Sequence, residues 1–201
     1  MDIEQGRISR IHDFSINFNN LKSRMREISK KYPSGVIIPI IGNDLENPAL
    51  CKIISGLNDC DHLKKVFIAL STTSDVDYRK ALKLSSNFEV PCEVIWCNKP
   101  EVNDILHQLK KKGLDVTELH GKGKDLWIAI GVASLELYAI AIHDADIMSY
   151  SGMLPTKLLY SVVEPRLDFS FPKGTMHGSI LKLGKCMVEY TDYSSTHTYS
   201  S

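Results

Sequence analysis

Tyr138-Ala139-Ile140-Ala141-Ile142-His143-Asp144-Ala145-Asp146-Ile147 is a short apolar run that stops on two carboxylates one residue apart. A run of this length reads as a buried strand. Buried strands rarely finish on paired charge unless something outside the sheet requires it. In open α/β sheets, ligands sit beyond the carboxyl ends of the strands. Two aspartates there can hold a hard divalent cation, and the cation can hold a diphosphate. The same spacing recurs at Asp59-Cys60-Asp61 and Asp75-Val76-Asp77. The first falls in a polar connection, the second at an expected helix start where acids complement the dipole, and both read as structural. Asp144 and Asp146 are the pair that follows an apolar strand.

Working outward, apolar runs alternate with amphipathic segments. Phe18, Leu21, Met25 and Ile28 recur at helical spacing ahead of the first strand, Val36–Ile41, which has Pro39 near its exit. Asn47-Pro48 marks a helix start, with Leu50, Ile53, Ile54 and Leu57 on its inner face. Val66–Leu70 is a second strand, and Asp75 opens a helix carrying Tyr78, Ala81 and Leu82. Cys92–Trp96 is a third strand, and Pro100 opens a helix with Val102, Ile105, Leu106 and Leu109 inward. A further helix carries Leu126, Trp127 and Ile130 ahead of the strand that ends at Asp144. Strands alternating with helices in this way predict an α/β fold, a mostly parallel sheet with helices on both faces. The expected organisation is an N-terminal helical extension over 1–32, one ligand-binding domain over 33–190 and a disordered, Ser/Thr/Tyr-rich tail over 191–201.

Length and composition agree with that organisation. The chain has 201 residues, of which 43% are hydrophobic and 24% charged, ordinary values for a globular domain. Its formal net charge is zero, which argues against a general nucleic-acid binder. The five cysteines, Cys51, Cys60, Cys92, Cys97 and Cys186, are odd in number and lack CxxC spacing, so a reduced, cytoplasmic protein is expected. Met1 to Arg10 is polar and mixed in charge, unlike a signal peptide. No apolar run approaches the roughly 20 residues of a membrane span.

About twenty residues before the aspartates, Gly121-Lys122-Gly123-Lys124 leads into a helix. Glycine lets backbone approach a ligand, helix N-termini favour anions, and lysine can meet a phosphate as a point charge. Alone, such a loop is most often a solvated turn. It has neither the Walker spacing nor the dinucleotide fingerprint. Paired with Asp144 and Asp146, it supplies the fixed positive charge that a cation-bound diphosphate needs.

Four segments in order resemble a known family: Ile38-Pro39-Ile40-Ile41-Gly42-Asn43-Asp44-Leu45-Glu46-Asn47-Pro48-Ala49-Leu50, Gly121-Lys122-Gly123-Lys124-Asp125-Leu126-Trp127, His143-Asp144-Ala145-Asp146-Ile147, and Asp168-Phe169-Ser170-Phe171-Pro172-Lys173-Gly174. They resemble the retaining glycosyltransferases of the glucosyl-3-phosphoglycerate and mannosyl-3-phosphoglycerate synthase-like group, from about Val36 to about Tyr190. The resemblance implies a glycosyltransferase A, Rossmann-like fold and donor contacts from Pro39, Asp44, Lys122 and Asp144. It also implies a Mg²⁺ or Mn²⁺ site at Asp146 and Asp144, with Asp146 the direct ligand and Asp144 reaching the ribose or acting through water. Glu46 reads first as a helix-start acid and second as a donor contact. His143 should point away from Asp144 by strand alternation and is read as packing or support. Acceptor contacts map to Lys173, Gly184 and Lys185.

The implied reaction moves a hexose, glucose foremost, from a nucleoside-diphosphate sugar such as UDP-glucose to 3-phosphoglycerate or a similar acceptor. A homodimer is also implied, and no protein nucleophile is nominated. Three features depart from the pattern. Ser71-Thr72 stands where an acid is frequent. Lys185 and Met187 replace an arginine and a hydroxyl residue. Family members also continue for about a hundred residues more, with a histidine that completes the metal site; His177 and His197 do not match its context. Two other readings stay open: a truncated remnant that binds nucleotide sugar without transfer, and a nucleotidyltransferase, although Asn43–Glu46 lacks the latter's glycine-rich loop.

Overall fold

A computed structural model describes residues 17–167, 169, 179–181 and 187–190. The chain enters through α1 (Phe18–Ser29), whose Asn17 side chain accepts from the Asn19 amide at 2.9 Å. Then come β1 (Ser34–Ile41), a 3₁₀ turn (Gly42–Glu46), α2 (Ala49–Asn58) and β2 (Leu63–Ser71). These are followed by α3 (Asp75–Ser85), β3 (Cys92–Trp96), α4 (Pro100–Lys111), α5 (Lys122–Ala133), β4 (Ala139–His143) and α6 (Met153–Val163). Two short strands close the described chain, β5 (Ser179–Leu181) and β6 (Met187–Tyr190).

The strands lie side by side in the order β3-β2-β1-β4-β6-β5. All neighbours are parallel except β5, which runs antiparallel to β6. From β1 the chain builds outward to β2 and β3, then returns to place β4 on the other side of β1. That reversal is a topological switch point, where helices diverge and leave a crevice at the carboxyl ends of the strands.

Strand alternation divides the core in two. Val36, Ile38 and Ile40 of β1, Val66, Ile68 and Leu70 of β2, and Ala139 and Ala141 of β4 pack with Met25 of α1, Ile53 and Leu57 of α2 and Leu159 of α6. The interleaved Ile37, Phe67, Ala69, Ile140 and Ile142 face Leu106 of α4 and Ile128, Ala129 and Ala133 of α5. Both faces of the sheet are therefore dry, which is why these strands read as unbroken apolar runs. Gly35 is required within β1, since a Cβ there would collide with the Lys65 carbonyl of β2 and the Leu137 side chain.

The inner face expected for α2 is observed, with Leu50, Ile53, Ile54 and Leu57 all buried. Asn47 caps that helix, its Oδ1 accepting from the Ala49 amide at 2.9 Å. One side chain expected inward turns outward, Ile105 on α4 at 56% exposed, and Leu82 on α3 is 44% exposed. On each helix a narrower stripe, Leu106 or Ala81, meets the sheet. Helix α1 joins the core through Met25 and Ile28. It is fastened to the end of α6 by Arg24, whose Nε donates to Glu164 at 2.9 Å. Glu164 is 3% exposed, and the Arg24 hydrogen bond holds its carboxyl below the usual range. The four described cysteines are thiols. Burial pushes Cys60 up to about 11 and Cys92 and Cys97 up to about 12, so these three behave as small core residues.

Candidate functional site

A cleft of about 340 Å³ opens at the switch point. Strand β1 gives it Pro39, Ile40 and Ile41, and the turn that follows gives Asp44. Ala69 and Ser71 come from β2, Lys122 and Asp125 from the first turn of α5, and Asp144, Ala145 and Asp146 from the loop after β4. Every donor and metal residue expected from the sequence lines this one cavity.

Local geometry sets each group in place. Gly121 has φ +67°, a left-handed conformation that suits glycine, and its carbonyl accepts from the Lys124 and Asp125 amides at 3.0 and 3.3 Å. Helix α5 thereby starts at Lys122 and directs its positive end at the cleft. The Lys122 ammonium is ion-paired with the Asp144 carboxylate. Asp44 holds the β1 exit, its Oδ2 accepting from the Ile41 amide at 3.3 Å. Glu46 takes a different direction and pairs with Lys80 at 2.7 Å.

The loop beyond β2 is fixed by Thr72. Its hydroxyl donates to Asp77 at 2.8 Å and accepts from the Ser74 amide at 3.1 Å, while its carbonyl accepts from Trp96 Nε1 at 2.6 Å. Tyr78 stacks on the Trp96 ring at 4.7 Å. Asp77 thus has structural work, as does Asp61, which accepts from Arg26 Nε at 2.7 Å. His143 is fully buried behind the cleft, 5.2 Å from the Tyr150 ring centroid, and burial lowers its pKa to about 3.

Two polar lining residues, Ser71 and Asp125, had no assigned role in the expected site. Asp125 is 3% exposed, and burial raises its carboxyl pKa while the Ser71 hydroxyl opposes the shift. Its sequence signal was an acid in the first turn of a helix, which ordinarily reads as dipole complementation. Ser71 stood out only as a departure, since with Thr72 it follows an apolar strand where the resembled family frequently has an acid. The acceptor residues Lys173, Gly184 and Lys185, with His177 and His197, lie outside the described residues. Among the described residues no three His, Cys, Asp or Glu side chains form a metal cluster, and no helix is long and apolar enough to cross a membrane.

No family model matches the chain. It is 44% identical over 193 residues to a glucosyl-3-phosphoglycerate synthase of Methanococcoides burtonii, a match covering 91% of this chain and 48% of the relative. It is 33% identical over 174 residues to a glucosyl-3-phosphoglycerate synthase of Persephonella marina, covering 85% of this chain and 43% of that protein. The chain spans about half the length of the curated relatives it matches. Among solved structures, a glucosyl-3-phosphoglycerate synthase of Mycobacterium tuberculosis in complex with Mn²⁺, UDP and glucosyl-3-phosphoglycerate aligns with a TM-score of 0.44 at 14% identity, over 79% of this chain and 47% of that one. By sequence, then, the chain is a relative of the glucosyl-3-phosphoglycerate synthases and matches their N-terminal part.

Proposed function

We propose that this chain binds the nucleotide-sugar donor of a glycosyltransferase that moves glucose to 3-phosphoglycerate. The observation that carries the reading is the convergence of Asp44, Lys122, Asp144 and Asp146 on one cleft at the switch point of the sheet. Its support from relatives is the shared name of the Methanococcoides and Persephonella proteins.

The donor set fits a hard divalent cation. Carboxylate oxygens are the ligands that Mg²⁺ and Mn²⁺ prefer, and such ions commonly take remaining positions from phosphate and water. Asp146, exposed beside the cleft, would meet the ion directly, with Asp144 beside it. The cation would supply charge stabilisation to the departing diphosphate. Lys122 adds a fixed positive charge from a helix start, and Asp44 offers an acceptor for ribose or base. No side chain is assigned as nucleophile. Glucose and 3-phosphoglycerate enter through the relatives' names, while the cleft itself speaks for the nucleoside diphosphate.

The test is calorimetry of the purified chain with UDP-glucose and GDP-glucose, each with Mn²⁺ and with EDTA, followed by incubation with 3-phosphoglycerate and mass spectrometry for the phosphorylated glucoside. Cation-dependent binding of either donor is expected. Absence of binding by both would overturn the reading; binding without product would reduce it to a donor-binding protein.

A further inference from the structure

We propose that Asp125, together with the Ser71 hydroxyl, reads a ring N–H on the nucleobase of the donor. The inference rests on the donor-binding reading above and adds to it a residue that selects the base.

A first-turn acid that merely complements the helix dipole has no need to leave water. Asp125 is 97% shielded, and its Oδ1 is buried without a hydrogen-bond partner although the residue lines the cleft. A buried acceptor left unmatched is costly, and such atoms in folded proteins call for an explanation. The position is held from below, where the Cys97 thiol donates to the Asp125 carbonyl at 3.7 Å. Beside it, the Ser71 hydroxyl offers the carboxyl a hydrogen bond. The loop after Ser71 is fixed by the Thr72 contacts described above.

Position decides which part of the ligand comes here. Asp144 and Asp146 follow β4, whereas Ser71 ends β2, with β1 between them. Two strand spacings separate those ends, roughly 10 Å. A diphosphate anchored at Asp146 projects its nucleoside across the β1 exit, and the base is what reaches β2. Charge leads to the same assignment. A further carboxyl repels phosphate, so it belongs in a nucleotide cleft where it meets a donor. With Asp125 accepting the ring N–H and the Ser71 hydroxyl turning its one proton from the carboxyl to a base carbonyl, the pair matches an N–H flanked by a carbonyl, the pairing edge of uracil and guanine. Cytosine and adenine present a bare ring nitrogen at that position.

The experiment uses the purified chain with Mn²⁺ and calorimetry. UDP and GDP are compared first, then whichever binds tighter is compared with its analogue methylated on the ring N–H. Ribose 5-diphosphate serves as the base-free control. The parent is expected to prefer the unmethylated nucleotide by about tenfold or more, as sites built to bond a donor reject ligands that lack it. Asp125→Ala should bring that ratio close to one while leaving ribose 5-diphosphate affinity unchanged. A ratio near one in the parent overturns the proposal whether or not the variant folds. A parent ratio that survives in Asp125→Ala overturns it as well. Failure of the parent to bind UDP and GDP at all overturns the donor-binding reading, and this inference with it.

Discussion

The two ends of the parallel sheet carry charge in opposite ways. At the amino end, Lys65 at the start of β2 lies 2.7 Å from Glu136 and 2.8 Å from Glu93, and Lys64 lies 3.9 Å from Glu136. Each of these charges is closed on a neighbour. At the carboxyl end, Asp44, Asp125, Asp144 and Asp146 line the cleft with one lysine, Lys122. Four carboxyls against one ammonium is an arrangement that folding alone does not favour, since like charges gathered in a crevice repel. The amino end is finished by the chain itself. On the proposed reading the carboxyl end is completed by a ligand from solution, and the excess of acid suits one that includes a cation.

The contrast can be broken most sharply at Asp146. Asp146→Ala should reduce UDP affinity in Mn²⁺ to the level measured in EDTA, with an unchanged circular dichroism spectrum. Equal affinity of variant and parent would remove Asp146 from the cation site. Lys122→Ala is next in size. UDP should weaken by about 1–3 kcal/mol, the scale of a charge-assisted hydrogen bond, and uridine by much less. A matching loss for uridine would show that the lysine does not act on phosphate.

At the amino end the effects are smaller and fall on stability. Lys65→Met should lower the free energy of unfolding in urea by about 1 kcal/mol, the upper range for partly exposed ion pairs, and leave nucleotide binding untouched. A change in UDP affinity would mean that the two ends are coupled.

The smallest expected effect concerns Asp125 in the ligand-free protein. Burial raises its folded-state pKa above the unfolded value, so the native state holds the proton over a range where the unfolded chain has lost it. The stability this contributes is complete below the unfolded pKa and is lost as pH rises through the folded pKa. Asp125→Asn, which cannot ionise, should therefore be more stable than the parent at neutral pH by less than about 1 kcal/mol. The advantage should vanish in acid. A constant difference across pH would show that packing, not ionisation, sets it.

Much of the sheet was legible because both of its faces are covered. Cys92–Trp96 has the bounds that its apolar run predicts, and β4 ends one residue before Asp144. Strand β1 begins two residues earlier than its apolar run, since Ser34 and Gly35 pair with β2 and β4 although neither is apolar. Helix faces were less legible. Periodicity gives a direction for the apolar stripe but not its width, and Ile105 and Leu82 lie on its solvent edge. In the site, Asp144 and Asp146 stood out because charge follows a buried strand, and Lys122 because glycine and lysine stand at a helix start, whereas Asp44 and Pro39 came from the family resemblance. Asp125 obeys its local rule. Its burial comes from where β2 and β3 end beneath α5, which no window of sequence displays.

The contact between Lys122 and Asp144 ties the two halves of the proposed ligand together thermodynamically. In the structure each side chain is engaged by the other. A cation that draws Asp144 toward itself releases the ammonium, and a diphosphate that draws Lys122 releases the carboxylate. Each ligand thereby lessens what the other must displace, and by reciprocity the factor by which Mn²⁺ tightens UDP equals the factor by which UDP tightens Mn²⁺. Replacing Lys122 should weaken that mutual factor as well as UDP binding itself, so on the proposed reading an ion pair that looks like local neutralisation would serve as the linkage between metal and nucleotide.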